Sequence, residues 1–269
     1  PSVYNPYNNK ELAKQRRNQV LKRMLTMNYI TEDEYNKAIE ADIHLSTMPA
    51  LYTTNKAPYF SDYVMREMEK LGFEETDIIH GGYKVITTLD SKAQVEANES
   101  ILRNMRAYGL TRPSQQAAVF SFNPIDGRIL VFAGGKNYGE SQYDRVTQAI
   151  RPPGSAFKAF VYAAAMEKGI SPNDIVDDSP ITIAKWSPHN AGHKYRGKIP
   201  IYIALMISSN VCAARVIQEV GIRSVIQVAK VLGITTPLQY DYTISLGSNG
   251  VKLFEFVRAY GAFANGGYV

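Results

Sequence analysis

Cysteine, tryptophan and histidine are scarce in this 269-residue chain, with one, one and four copies, and each scarcity removes a class of chemistry. A single thiol, Cys212, rules out an intrachain disulfide. Its neighbours Val211, Ala213 and Ala214 mark it as a buried helix thiol rather than a nucleophile. His189 and His193 are four apart, but Pro188, Asn190 and Gly192 make that segment a loop, and no acidic third ligand stands at a suitable offset, so no metal is expected. Gly134-Gly135 lacks the third glycine and the lysine-serine ending of a phosphate loop, so neither a nucleotide nor any other cofactor is expected. The longest apolar run, residues 157–166, is far short of a bilayer crossing. The start at Pro1 has no signal-peptide pattern, so any membrane anchor is expected to lie outside these residues.

What remains is 45% apolar, enough for a sizeable core and for more than one domain. Charge is uneven. Residues 1–30 hold Lys10, Lys14, Arg16, Arg17, Lys22 and Arg23 against Glu11, which accounts for the whole net charge of +5. A neutral remainder argues against a nucleic-acid surface and leaves one local basic patch, either a solvated helix face or a contact for anionic lipid or pyrophosphate.

Residues 152–158, Pro-Pro-Gly-Ser-Ala-Phe-Lys, are the most informative stretch. Two prolines cannot sit inside a helix, whereas residues 156–166 are good helix formers, so a helix is expected to start near Ser155. Ser155 and Lys158 then share a face. A serine hydroxyl attacks at neutral pH only once a base takes its proton, and a lysine serves as that base when burial lowers its pKa. The helix N-terminus also favours developing negative charge.

Ser208-Ser209-Asn210 lies where one helical stretch, 199–207, gives way to another, 211–220. From that connection Ser208 and Asn210 can reach a shared cleft and hold the lysine. In this order, Ser-x-x-Lys and then Ser-x-Asn, the chain resembles the penicillin-binding proteins. The resemblance extends over Tyr195-Arg196-Gly197-Lys198-Ile199-Pro200, Leu246-Gly247-Ser248 and the run from Ala259 through Tyr260 and Asn265 to Gly267, and so over most of residues 115–269. Near the start, Pro1-Ser2-Val3-Tyr4-Asn5-Pro6, Ala13-Lys14-Gln15-Arg16-Arg17 and Val20-Leu21-Lys22-Arg23-Met24 resemble the last segment of a peptidoglycan glycosyltransferase domain. Such a tail before a transpeptidase implies the class A, two-activity branch.

The resemblance implies an α+β fold, a β-lactamase-like sheet with flanking helices and a helical lobe. It divides the chain into a glycosyltransferase tail (1–43), a small α/β linker (44–114) and the N-terminal part of a transpeptidase domain (115–269). It implies D,D-transpeptidation at the outer face of a bacterial membrane. In that reaction Ser155 is the nucleophile, Lys158 its base, Ser208 a proton relay and Asn210 an orienting group. The implied partners are peptidoglycan stem peptides and glycan, β-lactam antibiotics, other cell-wall synthesis proteins, and the membrane through an anchor elsewhere. No Lys-Thr-Gly follows residue 210, and the glycosyltransferase glutamates are absent, so the chain is expected to be an internal piece of a longer polypeptide. A carboxypeptidase, a serine β-lactamase and a non-catalytic β-lactam sensor or wall scaffold stay open at this point.

The remaining expectations are structural. Thr31-Glu32-Asp33-Glu34 forms a capping box within a helical segment 10–40. A helix over 58–71, a strand over 83–88 and a helix over 91–108 follow. Residues 117–122 and 128–133 form a hairpin around Asn123-Pro124-Ile125-Asp126-Gly127, against which the Ser155 helix packs. Helices follow over 224–232 and 252–264. The loop 171–198 forms a rim carrying Trp186, a candidate for stacking on substrate, and Arg196, which pairs either with a substrate carboxylate or with Asp174, Asp177 or Asp178.

Overall fold

A computed structural model describes residues 4, 6, 9–45 and 55–269, which group into two units, Pro1–Asn55 and Lys56–Val269. Residues 1–3, 5, 7 and 8 of the glycosyltransferase-like segment, and 46–54 of the expected linker, lie outside the described residues. In the first unit α1 (Lys10–Thr26) is capped by Asn9, whose Oδ1 accepts from Leu12 N at 2.9 Å. The chain turns at Asn28, where φ is 57°, into α2 (Glu32–Glu40), and the capping box forms, with Thr31 N donating to Glu34 Oε2 at 2.7 Å. Most of the basic cluster is used internally, with Arg16 donating to Gln19 Oε1 at 3.2 Å. Arg17 donates to the carbonyls of Ala41 and Ile39 at the end of α2, and Lys10 and Lys14 pair with Asp42. Cations at a helix C-terminus are favourably placed.

The second unit opens with α3 (Pro58–Lys70), whose Pro58 occupies the first turn, and α4 (Glu75–His80). Residues 83–88 do not form the expected strand. Their apolar side chains Tyr83, Val85 and Ile86 are exposed, and only Thr88 Oγ1 and Asp90 N reach the hairpin, at the carbonyls of Ile129 and Leu130. Without a ladder partner a β-rich run stays irregular. Helix α5 (Ser91–Ala107) follows, capped by Asp90.

The hairpin forms as expected, slightly trimmed. Strand β1 (Val119–Phe122) pairs antiparallel with β2 (Ile129–Ala133), Phe120 opposite Phe132, with an irregularity at Ser121/Phe122. One face packs on Phe60 and Tyr63 of α3, the other on Ile101 and Met105 of α5. The outer edge of β2 is closed by a side chain: buried Gln94 accepts from Phe132 N at 2.7 Å and donates to Phe132 O at 3.2 Å, reproducing a strand pairing.

The remaining elements form a helical cluster with short two-stranded pairs. β3 (Ile150–Arg151) leads through a 3₁₀ turn (Gly154–Phe157) into α6 (Lys158–Glu167). β4 (Ile175–Asp177) pairs with β5 (Lys198–Pro200), closing the base of the 171–198 loop. Residues 198–200 are thus strand, not the start of a helix, because the residue before Pro200 is turned away from helical backbone. Then come α7 (Ile201–Met206), α8 (Asn210–Val220), α9 (Ile222–Val231), a 3₁₀ turn (Tyr242–Leu246), β6 (Val251–Lys252) on β3, and α10 (Leu253–Ala264).

One core joins α6, α7, α8, α9 and one face of α10; another joins the hairpin, α3 and the other face of α10, through Phe254 and Val257. The Ser155 helix therefore packs on α10 rather than directly on the hairpin. Gly261 lets α10 meet the hairpin, since a Cβ there would lie 2.4 Å from the Phe122 ring. Among the described residues no helix is long and apolar enough to cross a membrane.

Candidate active site

The turn carrying Ser155 is shaped by a backbone contact. Gly154 N donates to Gly247 O at 3.1 Å, and a Cβ on Gly247, whose φ is 68°, would lie 2.0 Å from Gly154 O. Only glycine allows that approach. Pressed there, residues 154–157 wind as a 3₁₀ turn and the α-helix begins at Lys158, three residues later than expected. With three residues per turn, positions i and i+3 line up, so the tighter winding brings Ser155 and Lys158 into register. Phe157, between them, is wholly buried, while Ser155 is exposed and its hydroxyl makes no hydrogen bond among the described residues.

Lys158 is the opposite case, with 1% of its surface exposed. Its Nζ donates to Ser208 O at 2.7 Å, Ser208 Oγ at 3.0 Å and Asn210 Oδ1 at 2.7 Å. Three acceptors satisfy an ammonium, yet none is charged, and burial lowers the lysine pKa from 10.5 to about 8. The nearby Cys212 thiol, pushed up to about 12 by burial, is neutral.

Residues 205–210 aim those acceptors. Ser208 has φ 56°, a left-handed conformation unusual for serine, which turns its carbonyl and hydroxyl together toward Nζ. Ser208 N and Ser209 N close the end of α7 on the carbonyls of Leu205 and Ala204. Asn210 is the first residue of α8 rather than part of the connection. Its Nδ2 donates to His189 O at 2.8 Å, and this fixes its Oδ1 toward Lys158.

Beneath lies a group that the sequence reading missed as a unit. Asp178, fully buried, accepts from Ser209 Oγ at 2.5 Å, Asn190 Nδ2 at 2.7 Å and Arg196 N at 3.0 Å. Burial opposes its charge, but these donors hold its carboxyl below the usual range. Arg196 reaches Asp178 through its backbone; its side chain makes no ion pair among the described residues. The only hints in the sequence were the Asp177-Asp178 pair and an asparagine two residues after Pro188.

Trp186 stands apart. Ile183 and Trp186 bond to each other across a two-residue turn, Ala184-Lys185, with φ 46° and 72°. The indole lines a groove of about 390 Å³ with Ile222, Tyr240 and Thr243, and none of Ser155, Lys158, Ser208 and Asn210 lines it. A cavity of about 660 Å³ behind Pro152 and Pro153 likewise excludes all four.

Comparison with known proteins supplies the context. The family described as penicillin binding protein transpeptidase domain matches residues 117–269, more than half of the chain. Penicillin-binding protein 2D of Bacillus subtilis is 33% identical over 99% of this chain and 39% of its own length. The crystal structure of penicillin-binding protein 1A from Haemophilus influenzae superposes with a TM-score of 0.70 at 25% identity, covering 98% of this chain and 53% of that one. PonA1 of Mycobacterium tuberculosis in complex with penicillin V gives 0.67 at 26% identity, over 77% of this chain and 58% of that one. The chain thus spans about half the length of these relatives or less. With that family match over residues 117–269 and a fold shared with these proteins, the chain belongs to the penicillin-binding protein transpeptidase family.

Proposed function

We propose that this chain belongs to a bifunctional, class A protein whose transpeptidase cross-links peptidoglycan stem peptides by serine acyl transfer and is acylated by β-lactams. The observation that carries it is the contact of Lys158 Nζ with Ser208 and Asn210, 50 and 52 residues away in the chain, three residues after an exposed serine. In this reading Ser155 Oγ attacks the carbonyl carbon joining two D-alanines and its proton passes to neutral Lys158. Two of the lysine's contacts persist as N–H donation to Ser208 O and Asn210 Oδ1. The third, to Ser208 Oγ, is given up, and the lone pair left on Nζ accepts the Ser155 proton.

Once protonated, Lys158 donates again to Ser208 Oγ, and this makes Ser208 a relay. As the C–N bond breaks, the proton returns through Ser208 to the departing amine of D-alanine, leaving an acyl ester on Ser155. An amine of a neighbouring stem then attacks the ester, its proton passes back the same way, and Ser155 is released. A β-lactam opens on Ser155 in the same manner, but its leaving amine stays tethered and the ester persists. Trp186, in its separate groove, fits a contact with a more distant part of the substrate.

In the same proposal residues 1–43 end a glycosyltransferase domain, 44–114 link it to the transpeptidase, and 115–269 begin the latter. The protein then works at the outer face of the cell membrane on glycan and stem peptides, beside other wall-synthesis proteins. The test is intact mass after incubation of the full-length protein with benzylpenicillin. A single drug-sized adduct that disappears in Ser155→Ala is the expected result. An adduct that survives Ser155→Ala, or none on folded protein, overturns the assignment.

A further inference from the structure

Helix α8 begins in the middle of the site, and the first backbone N–H groups of any helix lack partners within it. Here they are all taken. Asn190 Oδ1 accepts from Asn210 N at 2.9 Å and Val211 N at 3.1 Å, Ser209 Oγ from Cys212 N at 3.0 Å, and Ser209 O from Ala213 N at 3.4 Å. Two of these four come from a side chain twenty residues away. Asn190 is itself fixed, since its Nδ2 donates to Asp178 Oδ1 and, at 3.0 Å, to Lys194 O.

Asp178 carries a full charge in the interior with no cation on it. Arg215, the nearest basic residue along α8, goes instead to Ser179 O at 2.9 Å and to Asp177 at 3.9 Å. A buried carboxylate held only by neutral donors is costly unless something compensates. Its compensation is the start of α8, reached through Ser209 and Asn190, where a helix favours negative charge. The charge therefore lies behind the same connection whose front side supplies all three acceptors of Lys158.

The neighbouring loop also acts on both ends of Asn210. Asn190 takes its backbone N–H while the carbonyl of His189 takes its Nδ2. With both ends held, the amide cannot flip and present Nδ2 to the lysine. On the other side of the connection, Ser208 is kept left-handed between the closed end of α7 and the pinned start of α8.

We propose that Asp178 and Asn190 are positioning residues of the acylation step, holding residues 208–210 in the geometry that converges three oxygens on Lys158. The proposal rests on the reading in which Lys158 takes the Ser155 proton. Neither residue touches Lys158; both act through Ser209 and Asn210. The other titratable groups packed close to the lysine are Cys212, on α8, and Tyr162, one turn further along α6, and burial raises the pKa of both, so neither carries charge at neutral pH.

The test is the acylation of the full-length protein by benzylpenicillin, followed by timed quenching and intact mass from pH 6 to 10. It is run on wild type, Asn190→Ala, Asp178→Asn and Ser155→Ala. The expected result for Asn190→Ala is an acylation rate constant at saturation lowered about tenfold or more, with the dissociation constant of the non-covalent complex within about twofold. The pH midpoint of that rate constant also falls, because the ammonium form of Lys158 loses aligned acceptors.

Asp178→Asn keeps size and one acceptor oxygen, removes the charge and leaves the Arg196 N–H without its acceptor. Its midpoint should fall in the same direction with a smaller rate loss. If Asn190→Ala does not fold, this isosteric variant carries the test alone. Folded variants with the wild-type midpoint and rate constant overturn the proposal, leaving the pair as a helix cap. A wild type that forms no Ser155-dependent adduct overturns the underlying reading and this proposal with it.

Discussion

At Lys158 burial and hydrogen bonding pull in opposite directions. Three neutral oxygens fit the ammonium, yet the absence of a facing charge lets burial win and sets the pKa at about 8. The neutral fraction at pH 7 then rises from a few in ten thousand, for an ordinary lysine, to about one in ten. Only the neutral form can accept the Ser155 proton, so acylation by a β-lactam should speed up with pH, about tenfold between pH 7 and 9, with half the limiting rate near pH 8. A rate flat over that range would place the base elsewhere. Tyr162, one turn along the same helix, makes the converse point. Its hydroxyl is buried without a partner among the described residues, so Tyr162→Phe removes a desolvated polar group and no hydrogen bond. Its thermal midpoint should equal or exceed wild type, by up to about 1 kcal/mol of stability.

Among the elements, the 3₁₀ turn at 154–157 depends on a residue ninety positions later in the chain. A methyl on Gly247 has to displace the carbonyl of Gly154 and must also accept a left-handed backbone. Gly247→Ala should therefore cost about 2 kcal/mol or more in denaturant unfolding. Acylation should slow as well, because the displaced atoms adjoin Ser155. Gln94 offers a second case, since Gln94→Leu leaves the N–H and C=O of buried Phe132 unpaired and should cost about 1–3 kcal/mol. These contacts also show where sequence reading stops. The Ser155 helix, the hairpin and the capping box at Thr31 follow from residues close in sequence, which is why they were legible. The meeting of Ser-x-x-Lys with Ser-x-Asn was legible only as a resemblance, because no local pattern specifies a contact across fifty residues. Asn190 and Gln94 were not legible at all, and Asp178 only as one of three candidate partners of Arg196. An Asp, Asn or Gln in a polar stretch looks like an ordinary surface residue until the fold buries it, and the strand expected over 83–88 failed for the related reason that β propensity needs a partner.

Across the molecule, burial is concentrated where the chemistry is proposed. Helix α8 buries seven residues and α6 buries six, Lys158 among them, whereas α1 buries Ala13 alone and α2 none. What holds α1 to α2 is polar and open to solvent: the Lys10–Asp42 pair has side chains 45% and 55% exposed. Such a pair contributes about 0–1 kcal/mol, and it weakens as salt rises. The two regions should then open with very different free energies. In amide hydrogen exchange read by mass spectrometry, α6 and α8 should exchange slowest, at the rate set by global unfolding. In the 269-residue chain by itself, residues 10–40 should exchange at least about a hundredfold faster, and faster still in high salt. Equal protection in both regions would mean that the helical pair draws stability from contacts other than its own ion pairs and caps. The expected gradient leaves the Lys158 cluster rigid, and a base whose neutral form depends on the exclusion of water requires that rigidity.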